Sequence, residues 1–227
     1  MKIDRRAWTI TAIVAVVIAV LAGLVASSGE VPGWEESIFH AVNDLPDWLE
    51  GPMWVFQLAG LLLVPLVVAA VAAAFKQWWL ALALVIFVPL KLLVEKGVVK
   101  QLVERERPGT TICGYDAGDP TAFDPDCGNF RGDVPLDGLS FVSGHAIIAW
   151  GVAALLWPVL PGRWRWVPVV VASLNAIARV YLGAHNPLDV IGGGAIGVAI
   201  AAILLLVIDQ IRTRVGPDTP AMSQPPQ

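Results

Sequence analysis

The stretch RVYLGAHNPLDV, residues 179–190, sets Arg179, His185 and Asp189 within eleven positions of a chain that holds three histidines in all. A carboxylate four residues on can orient an imidazole, and one so oriented can, when neutral, act as nucleophile or base. Two further clusters carry complementary chemistry. KQLVERERP places Lys100 and Arg107 seven residues apart, two helical turns, so both are expected on one face at the end of a helix. Ser143, Gly144 and His145 open another helix, where free backbone N–H groups and a glycine that permits close approach make an anion site. One lysine and two arginines can surround phosphate oxygens with charge-assisted hydrogen bonds. A phosphate pocket with two histidines points to phosphoryl transfer through a covalent histidine. His185, oriented by Asp189, attacks phosphorus, and His145 protonates the leaving oxygen.

Each feature alone has a plainer reading. Lys91, Lys96 and Arg105 read as cations that snorkel to the headgroups. A serine before a helix is more often a cap than a reacting group, Asn186-Pro187 is a helix start, and His40 is read as structural. Convergence outweighs these readings, because three cations, two histidines, a serine, a glycine and a carboxylate collect where three helices end on one side. Ionisable groups at membrane depth are uncommon without a function.

The elements that must position these groups are transmembrane. Hydrophobic residues make up 56% of the chain, in runs long enough to cross about 30 Å of hydrocarbon. Six helices are expected, near residues 8–28, 53–75, 77–104, 144–160, 164–183 and 187–211, giving an all-α, integral membrane bundle. The first reads as a retained anchor, its apolar stretch exceeding a signal core, although MKIDRR and ASS would also suit a cleaved signal. Lys2, Arg5 and Arg6, then Lys76, then Arg163 and Arg165, then Arg212 and Arg214 all fall on one side of six alternating helices. That side is expected to be the cytoplasm, with both termini.

The other side receives an acid-rich segment, the long loop 105–143 and the GAHNP turn. These acids account for the net charge of −4 without an acidic binding function, and nothing suggests nucleic acid as a partner. Trp34, Ile38, Phe39, Val42 and Leu45 recur at near-helical spacing, so the first outer segment is expected as an architectural helix at the interface. Cys113 and Cys127 both lie in the long loop and are expected to form a disulfide, as paired thiols on an exported loop usually do. Gly193 and Gly197, four apart on the last helix, are read as a close-packing face. Residues 212–227 end in a proline-rich, polar stretch expected as a disordered cytoplasmic tail.

The order and spacing of Lys100-x6-Arg107-Pro108, Ser143-Gly144-His145 and Arg179-x5-His185-x3-Asp189 resemble the three signature motifs of the type-2 phosphatidic acid phosphatase superfamily. That superfamily includes undecaprenyl-diphosphatase-like lipid phosphatases and the vanadium haloperoxidases. The resemblance covers roughly residues 30–210. It implies a six-helix bundle with its site facing the exterior, working without a metal or other cofactor. It assigns phosphate binding to Lys100, Arg107, Ser143, Gly144 and Arg179, nucleophilic attack to His185, its orientation to Asp189 and general acid catalysis to His145. Two positions depart from the pattern: Val142 stands where proline is usual, and Ala178 where serine is usual. Neither supplies the nucleophile, the acid or a cation.

The expected protein is a lipid phosphatase of the cell membrane, with residues 29–211 as its catalytic core and its site at the outer face. Its expected substrate is a membrane lipid: polyprenyl diphosphate such as undecaprenyl diphosphate, phosphatidic acid or phosphatidylglycerol phosphate. A lipid phosphotransferase is the nearest alternative. A transporter would place its polar groups near the midplane, and an inactive scaffold is expected to lack a nucleophile, acid or phosphate-binding residue of the motifs, whereas none of these is missing. The sequence does not set the oligomeric state.

Overall fold

Asp4 starts the first helix. Its carboxylate accepts from the Ala7 amide at 3.1 Å, satisfying one of the donors a helix leaves open, and α1 (Arg5–Ala26) follows. Ala15, Ala22 and Ala26 form its buried face, while Ile13, Val17, Leu21 and Leu24 remain exposed. A helix with small residues inward and branched aliphatics outward suits a bilayer, where lipid and not water meets the outer face. The computed structural model describes residues 3–215, so Lys2 and the tail from residue 216 lie outside the described residues.

The remaining elements are α2 (Gly33–Asn43), α3 (Glu50–Gln57), α4 (Val64–Ala74), α5 (Trp78–Leu92), α6 (Lys100–Leu102), α7 (Pro108–Thr111), α8 (Gly144–Leu156), α9 (Trp166–Tyr181) and α10 (Pro187–Val215). No strand occurs among the described residues; the one β-bridge joins Glu106 and Leu139. α10 is the axis of the bundle, with α1 and α8 packed along it. A Cβ on Gly193 would lie 2.6 Å from the Ser143 carbonyl, and one on Gly197 2.2 Å from the Ile147 carbonyl. Both glycines therefore let α8 and α10 approach backbone to backbone.

Two helices, α1 and Pro187–Arg214, are long and apolar enough to cross a membrane, each with a window of mean hydropathy 2.7. The segment expected as one helix over 53–75 is broken. Asp47–Gly60 and Val64–Ala74 meet at an angle of 66°, with Leu61 extended at φ −67° and ψ 144° and Pro65 near the start of α4. Counted as one bent span, this pair makes three. The expected helix over 77–104 is a continuous run of α5, a π-helical segment Leu93–Val99 and α6. α8 and α9 are shorter than a full span, at 13 and 16 residues. α10 runs on through residues 212–215, which were expected to begin the tail.

The two ends of the bundle differ in character. At one, Arg5 Nε reaches Asp209 Oδ2 at 2.6 Å, and Asp4, Trp8, Trp157 and Arg165 line a common cleft. At the other lie the first turn of α8 and the turn between α9 and α10, about 20 Å away along the 13 residues of α8. The Cys113–Cys127 disulfide is formed, with a Cα–Cα distance of 5.6 Å. Arg131 fastens the same loop to the bundle. It donates to the carbonyls of Asn43 and Tyr181 at 2.7 and 2.9 Å and lies over the Tyr181 ring, 4.1 Å from its centroid.

Candidate active site

Six of the residues singled out in the sequence line one cavity of about 310 Å³: Lys100, Arg107, Gly144, His145, Arg179 and His185. Lys100 follows the π-helical segment, an irregularity common at functional sites. Arg107 does not share its helix. The chain turns extended at Val103 (φ −127°, ψ 95°), and Arg107 caps α7 at φ −74° and ψ 164°. Two helical turns thus do not relate the two cations, and the fold converges them by a loop. Arg107 Nη1 donates to the Ala184 carbonyl at 2.7 Å, which ties the loop to the turn that carries His185. Lys100 Nζ donates to the Leu139 carbonyl at 3.2 Å.

The break between α3 and α4 forms one wall. Gly60, Leu61 and Leu62 line the cavity, and a Cβ on Gly60 would sit 2.4 Å from His145 Cβ. Asn175 supplies the hydrogen bonds that the broken helix forgoes, its Nδ2 donating to the carbonyls of Phe56 and Gln57 at 3.1 and 3.0 Å. Backbone groups freed where a helix breaks need such partners when they are away from water. One turn on, Arg179 Nη1 donates to Gln57 Oε1 at 2.6 Å. Its buried Nε has no hydrogen-bond partner.

Gly144 is held to glycine by its neighbour, since a Cβ there would lie 2.6 Å from Glu95 Oε1. Ser143 is buried and does not line the cavity. Its Oγ accepts from the Ala146 amide at a long 3.5 Å, as a helix cap does, and its N–H donates to the Asp189 carbonyl at 2.9 Å. Val142 and Ala178 are both fully buried and fill core positions away from the cavity lining. His40 is also absent from the cavity lining, lying on α2 beside Glu36 and Asp44 at 3.9 and 3.7 Å.

The expectation that Lys91 and Arg105 snorkel is corrected. Lys91 is buried and its Nζ lies 2.5 Å from Glu95 Oε2, within the cavity lining. Arg105 is fully buried and grips Glu35 of α2 through both nitrogens, at 3.1 and 2.6 Å. Only Lys96 of the three is exposed, and it too lines the cavity. Glu35 also accepts from the Leu188 amide at 2.8 Å, so α2 braces the start of α10 as well as covering it.

Gly183 makes the turn before His185 at φ +76°, with no room for a Cβ, which would fall 2.8 Å from the Phe130 ring. His185 and Asp189 are buried. Their nearest polar atoms, His185 Nδ1 and Asp189 Oδ2, are 3.6 Å apart. Ser140 Oγ lies between, 3.1 Å from His185 Nδ1 and hydrogen-bonded to Asp189 Oδ2. The Asn186 amide also donates to Asp189 Oδ2, at 2.8 Å. Ser140, Glu95, Gln57, Arg105 and Glu35 were not expected at the site. The only sequence cues were that Ser140 lies three residues before Ser143 and that Arg105 lies two before Arg107.

Burial, and then the cations Arg179, Arg107 and Lys100, hold the His185 imidazole well below its ordinary value of 6.5. It is therefore neutral in the folded protein at pH values where a free histidine takes up a proton. Below 6.5 the unfolded chain binds a proton that the folded protein refuses, so this group favours folding least at low pH. The parent protein is expected to lose more thermal stability between pH about 8 and 5 than His185→Gln does. Melting of both proteins in detergent across that range measures the difference, and equal losses would contradict the burial effect.

Residues 76–212, more than half of the chain, match the family model for the PAP2 superfamily. The chain is 42% identical over 59 residues to an undecaprenyl-diphosphatase of Sulfolobus acidocaldarius, covering 26% of this chain and 28% of that protein. It is 32% identical over 84 residues to a lipid A 4'-phosphatase of Bacteroides thetaiotaomicron, covering 37% of each. The alignments thus span well under half the length of these curated relatives. Among solved structures, a transmembrane PAP2-type phosphatidylglycerolphosphate phosphatase from Bacillus subtilis superposes with a TM-score of 0.63 at 25% identity, over 86% of this chain and 96% of that one. LpxE of Aquifex aeolicus shares the fold, with a TM-score of 0.57 at 21% identity over 74% of this chain and 93% of the other.

Proposed function

The chain belongs to the PAP2 superfamily, and on that premise we propose that it is a membrane lipid phosphatase acting through a phosphohistidine. The observation that carries this reading is the convergence of Lys100, Arg107, Arg179, His145 and His185 on one cavity, with the Arg179 Nε donor unpartnered. The three cations hold the phosphate oxygens, helped by the Gly144 N–H at the start of α8, which Ser143 caps. His185 Nε2 forms the bond to phosphorus as the bond to the lipid oxygen breaks, and His145 gives that oxygen its proton. Water then attacks phosphorus and breaks the phosphorus–nitrogen bond, giving a proton back to His145, so that inorganic phosphate leaves with His185 neutral and His145 protonated as at the start. No metal takes part in this scheme.

The proposed substrate is a lipid phosphate or diphosphate whose apolar tail stays beside the helices. Undecaprenyl diphosphate, lipid A and phosphatidylglycerol phosphate are the substrates that the names of the similar proteins indicate, and phosphatidic acid belongs to the same chemical class. Six crossings, cytoplasmic termini and an outer site are proposed from the basic connections. The separation of the Arg5 and Arg165 end from the cavity supports that sidedness.

Purified protein in detergent, with excess chelator, is expected to release phosphate from at least one lipid of a panel containing a polyprenyl diphosphate, phosphatidic acid and phosphatidylglycerol phosphate. Vanadate is expected to inhibit, since it can take the geometry of the transferring phosphoryl group in the same cation pocket. Transfer of label to a second lipid, without free phosphate, would make the protein a phosphotransferase; neither release nor transfer would sink the reading. In intact cells Cys113 and Cys127 should react with an impermeant thiol reagent only after reduction. Labelling that requires broken membranes would invert the topology.

A further inference from the structure

We infer that Ser140 is a positioning residue that links Asp189 to His185 and selects the imidazole tautomer with an unprotonated Nε2. The inference rests on the proposed role of His185 as nucleophile and adds the means by which that role is set.

In the structure the carboxylate makes no direct hydrogen bond to the imidazole. At 3.6 Å the Asp189–His185 approach exceeds a hydrogen bond, for which about 3.2 Å is the usual limit. Ser140 Oγ fills the gap, 3.1 Å from His185 Nδ1 and hydrogen-bonded to Asp189 Oδ2. A hydroxyl has one proton and can donate to only one of them. A carboxylate can only accept, so while Asp189 is ionised Ser140 donates to it and must accept from His185. The imidazole proton is then on Nδ1, and Nε2 keeps its lone pair for phosphorus. Were Asp189 protonated, the chain of donors could run the other way: Asp189 to Ser140, Ser140 to Nδ1. The proton of a neutral imidazole would then sit on Nε2, which could not attack.

Arg105 biases this choice. Its Nη1 lies 3.6 Å from Asp189 Oδ1, the oxygen of that carboxylate without a hydrogen-bond partner. Both groups are fully buried, so the guanidinium offsets part of the cost of holding a charged carboxylate away from water. The bidentate contact with Glu35 holds Arg105 in place. Ser140 is fixed in turn by its backbone, whose N–H donates to the Arg105 carbonyl at 2.8 Å. That bond survives replacement of the side chain, so Ser140→Ala removes one oxygen without unfastening the loop.

Two measurements test the relay. In protein with ¹⁵N-labelled histidine, the His185 resonances, identified by their loss in His185→Ala, should show a protonated Nδ1 and a bare Nε2. Ser140→Ala should turn this pattern into a mixture of tautomers and lower kcat roughly 100-fold, with KM changed less than about threefold, because substrate binding is untouched and orientation is lost. The parent spectrum alone decides part of the matter, whether or not the variant folds: a protonated Nε2 in the parent overturns the relay. So does a Ser140→Ala protein with parental kcat and an unchanged spectrum. Parent protein that shows the expected tautomer but neither releases nor transfers phosphate would leave the relay standing and remove the reading of His185 as nucleophile.

Discussion

His185→Ala is expected to lower phosphate release by roughly 10⁵-fold or more, while the protein stays folded in the membrane fraction. In the proposed reaction the phosphoryl group is carried on His185 Nε2. His145, the other histidine of the cavity, acts only on the leaving oxygen. His185→Ala therefore deletes the covalent route, whereas His145→Ala slows it to a degree set by the leaving group. The side chain contributes little to the fold, for its polar contacts are with Ser140 and Asp189 and its ring borders the cavity. Turnover of a lipid phosphate by purified variant and parent measures the loss. Acid quenching with labelled substrate reports whether a phosphorylated protein forms, and is expected to do so only in the parent. A His185→Ala protein within about tenfold of parental activity would end the covalent scheme.

The six expected residues that line the cavity stood out in the sequence because their chemistry is particular: few arrangements need two histidines, three cations and a glycine near helix ends. Spacing was a weaker guide. Lys100 and Arg107 were expected to share a helical face, yet the chain leaves the helix at Val103 and a loop brings Arg107 back. The broken span was concealed by hydropathy, which is continuous from Met53 to Phe75. Gly60 and Pro65 were its only local marks, and neither reveals that His145 occupies the space a side chain at Gly60 would need. The close approach of α10 to α8 was readable, since Gly193 and Gly197 are four apart on one apolar helix.

What the sequence concealed is mostly the support around the site. Glu35 pairs with Arg105 across 70 residues, and Asn175 meets Phe56 across 119. No periodicity encodes such partners. A lone charge near the end of an apolar run looks the same whether it snorkels to the headgroups or enters a buried pair. Lys91 and Arg105 were assigned the commoner fate, and the fold gives both the rarer one.

Arg105 offers the sharpest contrast between those fates. Were it a snorkelling side chain, Arg105→Met would change stability by less than about 1 kcal/mol. In the structure the substitution strands two carboxylates, Glu35 and Asp189, that are fully buried with it. Removing one partner of a buried ion pair destabilises by about 3–5 kcal/mol, because the charge left behind is neither solvated nor paired. Glu35→Gln is expected to do less damage, since Arg105 then retains Asp189 and the amide oxygen of glutamine can still accept one hydrogen bond. The double variant Glu35→Gln/Arg105→Met leaves only Asp189 stranded and is expected to be more stable than Arg105→Met alone. Such a recovery is the signature of residues that act as a pair. Unfolding of the four proteins in detergent, followed by helix content, closes the cycle. An Arg105→Met protein as stable as the parent would mean that this guanidinium is not buried with Glu35, and the arrangement drawn around Asp189 would fall with it.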